Sequence, residues 1–119
     1  DLNKLWWDMV EKYQYLRRPP GRNAPDYGSK IHIVSAPVYY HNYMMGELFA
    51  SQLHHAIARE VYKGAAPAGV VYVGNKDVGK FMQKKVFDPG RTLSWNEITR
   101  FATGSDLSPA AFAKDFQGK

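Results

Sequence analysis

The chain has 119 residues, a formal net charge of +5, 45% hydrophobic residues and no cysteine. This length fits a single domain over residues 1–119, and the hydrophobic content excludes a disordered chain. The absence of cysteine excludes disulfides and thiolate metal sites, and no apolar run approaches the roughly 20 residues of a membrane-spanning helix. The 16 basic residues are spread along the chain, which indicates a solvated surface and argues against a nucleic-acid partner.

The first predicted element is a helix at the amino terminus. Apolar residues recur at helical spacing over residues 2–16, and the helix should end before Pro19, which cannot continue it. This helix carries the adjacent Trp6 and Trp7, and we expect at least one of these large rings to be buried. Residues 19–29 are rich in turn-forming residues and should form an irregular connector.

The central part of the chain predicts a long helix. Residues 31–34 are β-branched apart from one histidine and suggest a short extended piece, while Ser35 and Pro37 mark the approaching helix start. We expect the helix to run from Val38 to Tyr62. The side chains expected to share its core-facing side are Met45, Phe49, Leu53 and Ala56.

A polar and aromatic set surrounds the start of this helix. Lys30 and His32 precede it, and Tyr40 and Tyr43, three residues apart, should project side by side from its first turns. One cation, one imidazole and two phenols suit an anionic or carbonyl-bearing ligand. The alternative is that the tyrosines are core residues with hydrogen-bonded hydroxyls and that the histidine is structural.

Three shorter helices are expected in the second half of the chain. The first should be capped by Asn75 and have an inner face formed by Val78, Phe81, Met82 and Val86. The second should begin with a capping box of Ser94 and Glu97 and end at Gly104. The third should start at Ser108-Pro109. Residues 70–73 are three β-branched valines and one tyrosine, and they could form a strand. The predicted fold class is mainly α, with about five helices around one long central helix and little or no sheet.

Two motifs resemble catalytic or ligand-binding sites but lack a required part. Gly74 to Lys80 matches the phosphate-loop spacing, yet Phe81 stands where a magnesium-binding Ser or Thr is needed. His54 and His55 are adjacent, so on a helix they point about 100° apart and cannot converge on one metal ion. We predict no metal site within this chain, and nothing marks the nucleophile of a Ser-His-Asp triad.

Several short motifs, in a fixed order, carry a resemblance to a known family. They are Trp6-Trp7, Lys12-Tyr13-Gln14, Pro19-Pro20, Arg22-Asn23, Lys30-x-His32, Tyr40-x-x-Tyr43 and Thr103-Gly104. Over nearly its whole length, the chain resembles the C-terminal part of the angiotensin-converting-enzyme family of zinc peptidases, and in particular a bacterial peptidyl-dipeptidase. The resemblance implies a large, mostly helical enzyme whose zinc ligands, in an H-E-x-x-H helix and a further glutamate, lie upstream. We therefore expect a C-terminal segment that binds no zinc itself and is inactive alone.

The resemblance also implies a role for each residue of the polar set. Lys30, helped by Tyr40, would bind the free C-terminal carboxylate of a peptide substrate, and His32 would hydrogen-bond a backbone carbonyl of the substrate. Tyr43 would be the catalytic residue, donating to the oxyanion as zinc-bound water attacks. Matching the tyrosine pair requires one extra residue after His32, so a shifted alignment that uses Tyr39 stays open.

Two positions depart from the family pattern. Val10 and Asn42 stand where animal members carry chloride-binding arginines, which argues against chloride dependence of that form.

The partners that the resemblance implies are a peptide with a free carboxylate and the remainder of the peptidase, in a periplasmic or extracellular location. An apolar surface left exposed, either the face of Met45, Phe49 and Leu53 or the tryptophan pair, would drive self-association. A carboxypeptidase would use nearly the same residues, and the alternative outside this class is a non-enzymatic basic helical binding module.

Overall fold

The computed structural model describes residues 1–117, and within them it contains six α-helices and no strand. The helices are α1 Leu2–Gln14, α2 Ile31–Val34, α3 His41–Glu60, α4 Lys76–Met82, α5 Trp95–Thr103 and α6 Ala110–Asp115. The predicted mainly α fold class is confirmed. No helix in this described part is both long and apolar enough to cross a membrane. Backbone contacts divide the chain into two units, Asp1–Asn42 and Tyr43–Lys119.

In the first unit, α1 begins at a side-chain cap and ends at a left-handed residue. The Asp1 carboxylate accepts hydrogen bonds from the backbone N–H groups of Asn3 and Lys4, at 2.9 and 3.3 Å, and so caps the helix. The helix ends at Gln14 because Tyr15 is left-handed, with φ +59°. The helix was predicted correctly but ends two residues earlier than expected.

The aromatic side chains of α1 are less buried than predicted. Trp6 and Trp7 are both half-buried, so the expectation of a buried tryptophan was wrong. Leu5, Met9 and Tyr13 are about half exposed or more. The apolar face of α1 is therefore only partly covered within this chain.

Neither of the two β-branched runs forms a strand. The expectation of an extended segment at residues 31–34 was wrong, since these residues form the short helix α2, in which the Lys30 carbonyl accepts from the Ile33 and Val34 amides. Residues 70–73 are irregular. A strand needs a neighbour to pair with, and the described residues offer none, so local hydrogen bonds satisfy the backbone of α2 instead.

The long central helix was predicted correctly, but both of its ends lie inside the predicted limits of Val38 and Tyr62. Val38 has φ +59°, which is incompatible with a right-handed helix, so α3 starts only at His41. After Glu60 the chain reaches Lys63 and Gly64, both of which have left-handed backbone conformations, so the helix cannot continue through them.

The core of the second unit forms around the second half of α3. Its buried cluster comprises Leu53, Ala56 and Ile57 of α3, Val78 and Phe81 of α4, and Ala102 of α5. Leu53 and Ala56 were predicted to face the core, whereas Phe49 and Met45 of the same predicted face are half-buried. Helical periodicity therefore identified the correct face of α3, and burial increases along the helix.

The predicted helix signals of the second unit are confirmed. The Asn75 side chain accepts from the backbone N–H of Asp77 at 3.0 Å and caps α4. Ser94 and Glu97 form the expected capping box of α5, and the Ser94 N–H donates to the Glu97 carboxylate at 2.8 Å. Gly104 ends α5 with φ +88°, a conformation that glycine adopts without strain.

The chain between α5 and α6 is held by Gln52, a buried polar side chain of α3. Its amide nitrogen donates to the Ser105 hydroxyl at 3.2 Å and to the Asp106 carbonyl at 3.1 Å, and its carbonyl oxygen accepts from the Ser108 N–H at 2.7 Å. The Ser108 hydroxyl then accepts from the Ala110 N–H, and α6 begins at Ala110, one residue later than the Ser108-Pro109 signal predicted.

Candidate functional site

In the first unit, the predicted substrate-binding side chains surround the short helix α2. Lys30 is exposed and directly precedes α2, while His32 lies within it and is half-buried. The imidazole of His32 packs edge-on against the ring of Tyr40, with 5.3 Å between ring centroids and 81° between planes. The ring of Tyr39 lies at 6.1 Å. The structure therefore brings His32 next to Tyr40, and both tyrosines of the two sequence alignments lie near this histidine.

The predicted pair Tyr40 and Tyr43 does not lie on one helix, which corrects the sequence-based expectation. Tyr40 lies in the turn before α3, because the helix begins only at His41. Tyr43 lies in the first turn of α3 and is the first residue of the second unit. Both phenols are about half exposed, at 51% and 55%. They are accessible to a ligand, unlike the buried core tyrosines of the alternative interpretation.

The segment that leads to Lys30 contains a carboxylate that is hydrogen-bonded by two other side chains, which the sequence did not reveal. Asp26 accepts from the indole N–H of Trp7 at 3.0 Å and from the Arg22 guanidinium at 2.5 to 3.0 Å. The hydrogen bonds from Arg22 hold the pKa of Asp26 below its usual value, and the Trp7 N–H adds to this effect. Trp7 and Asp26 are 19 residues apart, so no periodic pattern could have indicated their contact.

In the second unit, Ser51, His55 and Asp115 come together, but not as a hydrolytic triad. The Ser51 hydroxyl donates to Asp115 at 2.5 Å, and the His55 imidazole contacts the other carboxylate oxygen at 2.7 Å. A nucleophilic serine would instead donate to the histidine, which acts as its base. Here the carboxylate receives both partners and ties α6 to α3. These hydrogen bonds, from Ser51 first and from His55 second, lower the pKa of Asp115.

The histidines of α3 do not form a metal site. His54 makes contacts through both ring nitrogens, with the Tyr72 hydroxyl at 2.5 Å and with the Pro67 carbonyl at 3.0 Å, while His55 contacts Asp115. In the described residues 1–117, no three His, Cys, Asp or Glu side chains are grouped so that they could hold a metal ion. The ligand set of a catalytic zinc, three protein side chains, is not met by these residues.

Comparison with known proteins identifies the family. The sequence pattern of the peptidase M2 family, described as angiotensin-converting enzyme, matches residues 1–118. The chain therefore belongs to this family, which is the family that the ordered sequence motifs indicated.

Several similar proteins are angiotensin-converting enzymes of mammals. The chain is 31% identical over 119 residues to angiotensin-converting enzyme of Rattus norvegicus, 31% over 118 residues to angiotensin-converting enzyme-like protein Ace3 of Mus musculus, and 30% over 121 residues to angiotensin-converting enzyme of Bos taurus. These alignments cover 97 to 98% of this chain but only 9%, 16% and 9% of the respective relatives. No solved structure matches the chain significantly.

Replacing Asp115 by Asn should destabilise the second unit at neutral pH. Because the folded-state pKa of Asp115 is lowered, its stabilising contribution is present above the unfolded-state pKa of about 3.9 and is lost as the pH falls through the folded-state value. We expect a lower urea midpoint for D115N at pH 7 and a difference from the unsubstituted chain that shrinks steadily on acidification below about pH 4.

The matched control for this prediction is Asp8→Asn. Asp8 pairs with Lys4 at 2.7 Å on the exposed surface of α1, and exposed ion pairs of this kind add little stability. A D115N midpoint equal to that of D8N at pH 7, or a difference that persists unchanged at pH 3, would refute a stabilising role for the Asp115 carboxylate.

Proposed function

We propose that this chain is the C-terminal, substrate-binding portion of a zinc-dependent peptidase that hydrolyses peptides from the C-terminus, and that it is inactive alone. The family match over residues 1–118 carries the proposal, together with the small share of each relative that the chain spans. We call the complete enzyme the parent peptidase. On the family resemblance alone, we extend the proposal to a periplasmic or extracellular enzyme of the peptidyl-dipeptidase or carboxypeptidase type.

The zinc of the parent peptidase would be held by residues outside this chain. Residues 1–117 do not group three ligating side chains, so they do not fit a catalytic zinc. When bound, zinc would supply an activated water and polarise the scissile carbonyl. The contribution of this chain is then to bind and orient the peptide.

Lys30 is the proposed anchor for the free carboxylate of the substrate. Its ammonium group lies on an exposed residue at the start of α2, and a hydrogen bond between an ammonium and a carboxylate is about twice as strong as one between neutral groups. Tyr40, half exposed and packed against His32, would add a phenol donor to the same carboxylate. His32 would bind a backbone carbonyl of the peptide. Fixing the chain end in this way would set how many residues are removed.

Tyr43 is the proposed catalytic residue. Its phenol is half exposed in the first turn of α3, a helix whose second half is anchored in the core of the second unit. A phenol that donates to the carbonyl oxygen as negative charge develops there stabilises the transition state more than the bound substrate. Tyr43 would therefore act on kcat, whereas Lys30 would act on substrate affinity.

Two substitutions in the parent peptidase separate these roles. Lys30→Ala should raise KM for a peptide with a free C-terminus by roughly 10- to 100-fold, because a charge-assisted hydrogen bond is lost. Tyr43→Phe should lower kcat by about 100-fold or more with little change in KM. Steady-state kinetics on a free peptide and on its amidated twin measure both effects.

The controls also decide between the two alignments of the tyrosine pair. Tyr40→Phe should raise KM for the free peptide. Tyr39→Phe, at the tyrosine of the shifted alignment, and Tyr13→Phe, on α1, should not. If K30A raised KM equally for the amidated peptide, Lys30 would not be the carboxylate anchor. A Tyr39→Phe effect larger than that of Tyr40→Phe would transfer the anchoring role to Tyr39.

We further propose that the remainder of the parent peptidase covers the apolar face of α1. The chain exposes 8951 Å², whereas two separate compact proteins of the sizes of the two units would together expose only about 7,800 Å². Leu2, Leu5 and Met9 of α1 are about half exposed or more. The groove beside them has a volume of about 510 Å³, and its lining is Leu2, Leu5, Trp6, Met9, Tyr27, Ile33 and Val34. An apolar surface of this kind typically marks an interface.

Without the remainder of the enzyme, this groove should drive self-association of the chain. Sedimentation velocity over a range of concentrations should show oligomers at high concentration, and Leu5→Lys should shift the chain toward monomer because a charge replaces an apolar contact. Val73→Lys is the matched control, since Val73 is 90% exposed and lies outside the groove. A chain that stays strictly monomeric at high concentration, or equal effects of L5K and V73K, would contradict this proposal.

A further inference from the structure

The carboxylate of Asp26 connects α1 to the turn that leads into Lys30, and we propose that Asp26 is a positioning residue for the Lys30 anchor. The inference rests on the proposed role of Lys30 in binding the substrate carboxylate. It adds a residue that does not touch the substrate and would act only through the placement of the lysine.

Asp26 is fixed to α1 through both its side chain and its backbone. The carboxylate accepts from the indole N–H of Trp7 at 3.0 Å, and the backbone N–H of Asp26 donates to the side-chain carbonyl of Asn3 at 3.4 Å. Asn3 is buried, and only 13% of the Asp26 side chain is exposed. Because both contacts come from one turn of the same helix, they fix the position of Asp26, and with it the start of the following turn, relative to α1.

The connection from Asp26 to Lys30 is short and internally hydrogen-bonded. Asp26 is the first residue of a four-residue 3₁₀ turn, Asp26–Ser29, and Lys30 follows this turn directly. The Ser29 hydroxyl donates to the Asp26 carbonyl at 2.8 Å, and the Lys30 N–H donates to the Tyr27 carbonyl at 3.4 Å. The Lys30 carbonyl then accepts from the Ile33 N–H at 2.9 Å and starts α2. A shift of Asp26 would therefore be transmitted to Lys30, since the turn that connects them is short and restricted by its hydrogen bonds.

Arg22 completes the arrangement. Its guanidinium binds both oxygens of Asp26, and Arg18 in turn donates to the Arg22 carbonyl at 2.9 Å. The charge of Asp26 is thereby compensated, which a poorly exposed carboxylate requires. With its oxygens occupied by Arg22 and Trp7, Asp26 has a holding function and is not itself suited to bind a substrate.

The test is a double-mutant cycle in the parent peptidase with Trp7→Phe and Lys30→Ala. Trp7→Phe removes the N–H donor to Asp26 and keeps a smaller aromatic ring. We expect W7F to raise KM for the free peptide about 3- to 10-fold at unchanged kcat, a smaller effect than that of K30A because W7F displaces the lysine without removing its hydrogen bond. In the K30A background, W7F should raise KM no further, because the residue through which it acts is gone.

Two companion variants guard against a simple loss of folding. Arg22→Lys keeps the charge but loses the paired contact to Asp26, and it should show the same coupling to K30A. Asp8→Asn, which changes the exposed carboxylate next to Trp7 in α1, should leave KM unchanged.

The outcomes separate this inference from the proposed function. If K30A raises KM but W7F and R22K raise it by the same factor with and without Lys30, or lower kcat instead, the positioning role of Asp26 is overturned and the anchor remains. If K30A itself leaves KM unchanged, the proposed anchor is overturned.

Discussion

The burial of α3 along only one half of its length is the constraint on which the second unit depends. Leu53, Ala56 and Ile57 pack against α4 and α5, and Gln52 on the neighbouring face holds the chain that leads to α6. The first half of the same helix is much more exposed and carries Tyr43. A long helix anchored at one end is a rigid support, and rigid placement is what a donor to a developing oxyanion needs.

The first unit places its side chains by a different means. It has one helix of ordinary length, and the segment with Lys30 and His32 is held by hydrogen bonds between side chains and backbone, centred on Asp26. The two proposed roles thus rest on different physics. The proposed catalytic tyrosine depends on hydrophobic packing, and the proposed substrate anchor depends on a polar network.

The features that were predictable from the sequence are those determined by neighbouring residues. The caps at Asn75 and Ser94 and the core face of α3 follow from residue types a few positions apart, and all were found. Residues 31–34 were misassigned because β-branching favours a strand only where a partner exists. The start of α3 was missed because the left-handed Val38 has no sequence signal. Contacts over 19 residues, as between Trp7 and Asp26, need the fold.

Family membership was predictable for another reason. Each motif is weak alone, but the order and spacing of Trp6-Trp7, Lys30-x-His32 and Tyr40-x-x-Tyr43 are specific together, and the family pattern matches the same region. The structure adds that His32 and Tyr40 are in ring contact and that Tyr40 precedes α3. The different roles proposed for Lys30 and Tyr43 follow from the family resemblance.

The most direct measurement of the central claim is the product analysis of the parent peptidase acting on one peptide and on its C-terminally amidated twin, with and without a zinc chelator. We expect mass spectrometry to show release from the C-terminus of the free peptide only, and no release once the metal is removed. Dipeptide products would assign a peptidyl-dipeptidase, and single residues a carboxypeptidase. Cleavage that is independent of metal, or equal cleavage of the amidated twin, would contradict a zinc peptidase that binds its substrate by the terminal carboxylate.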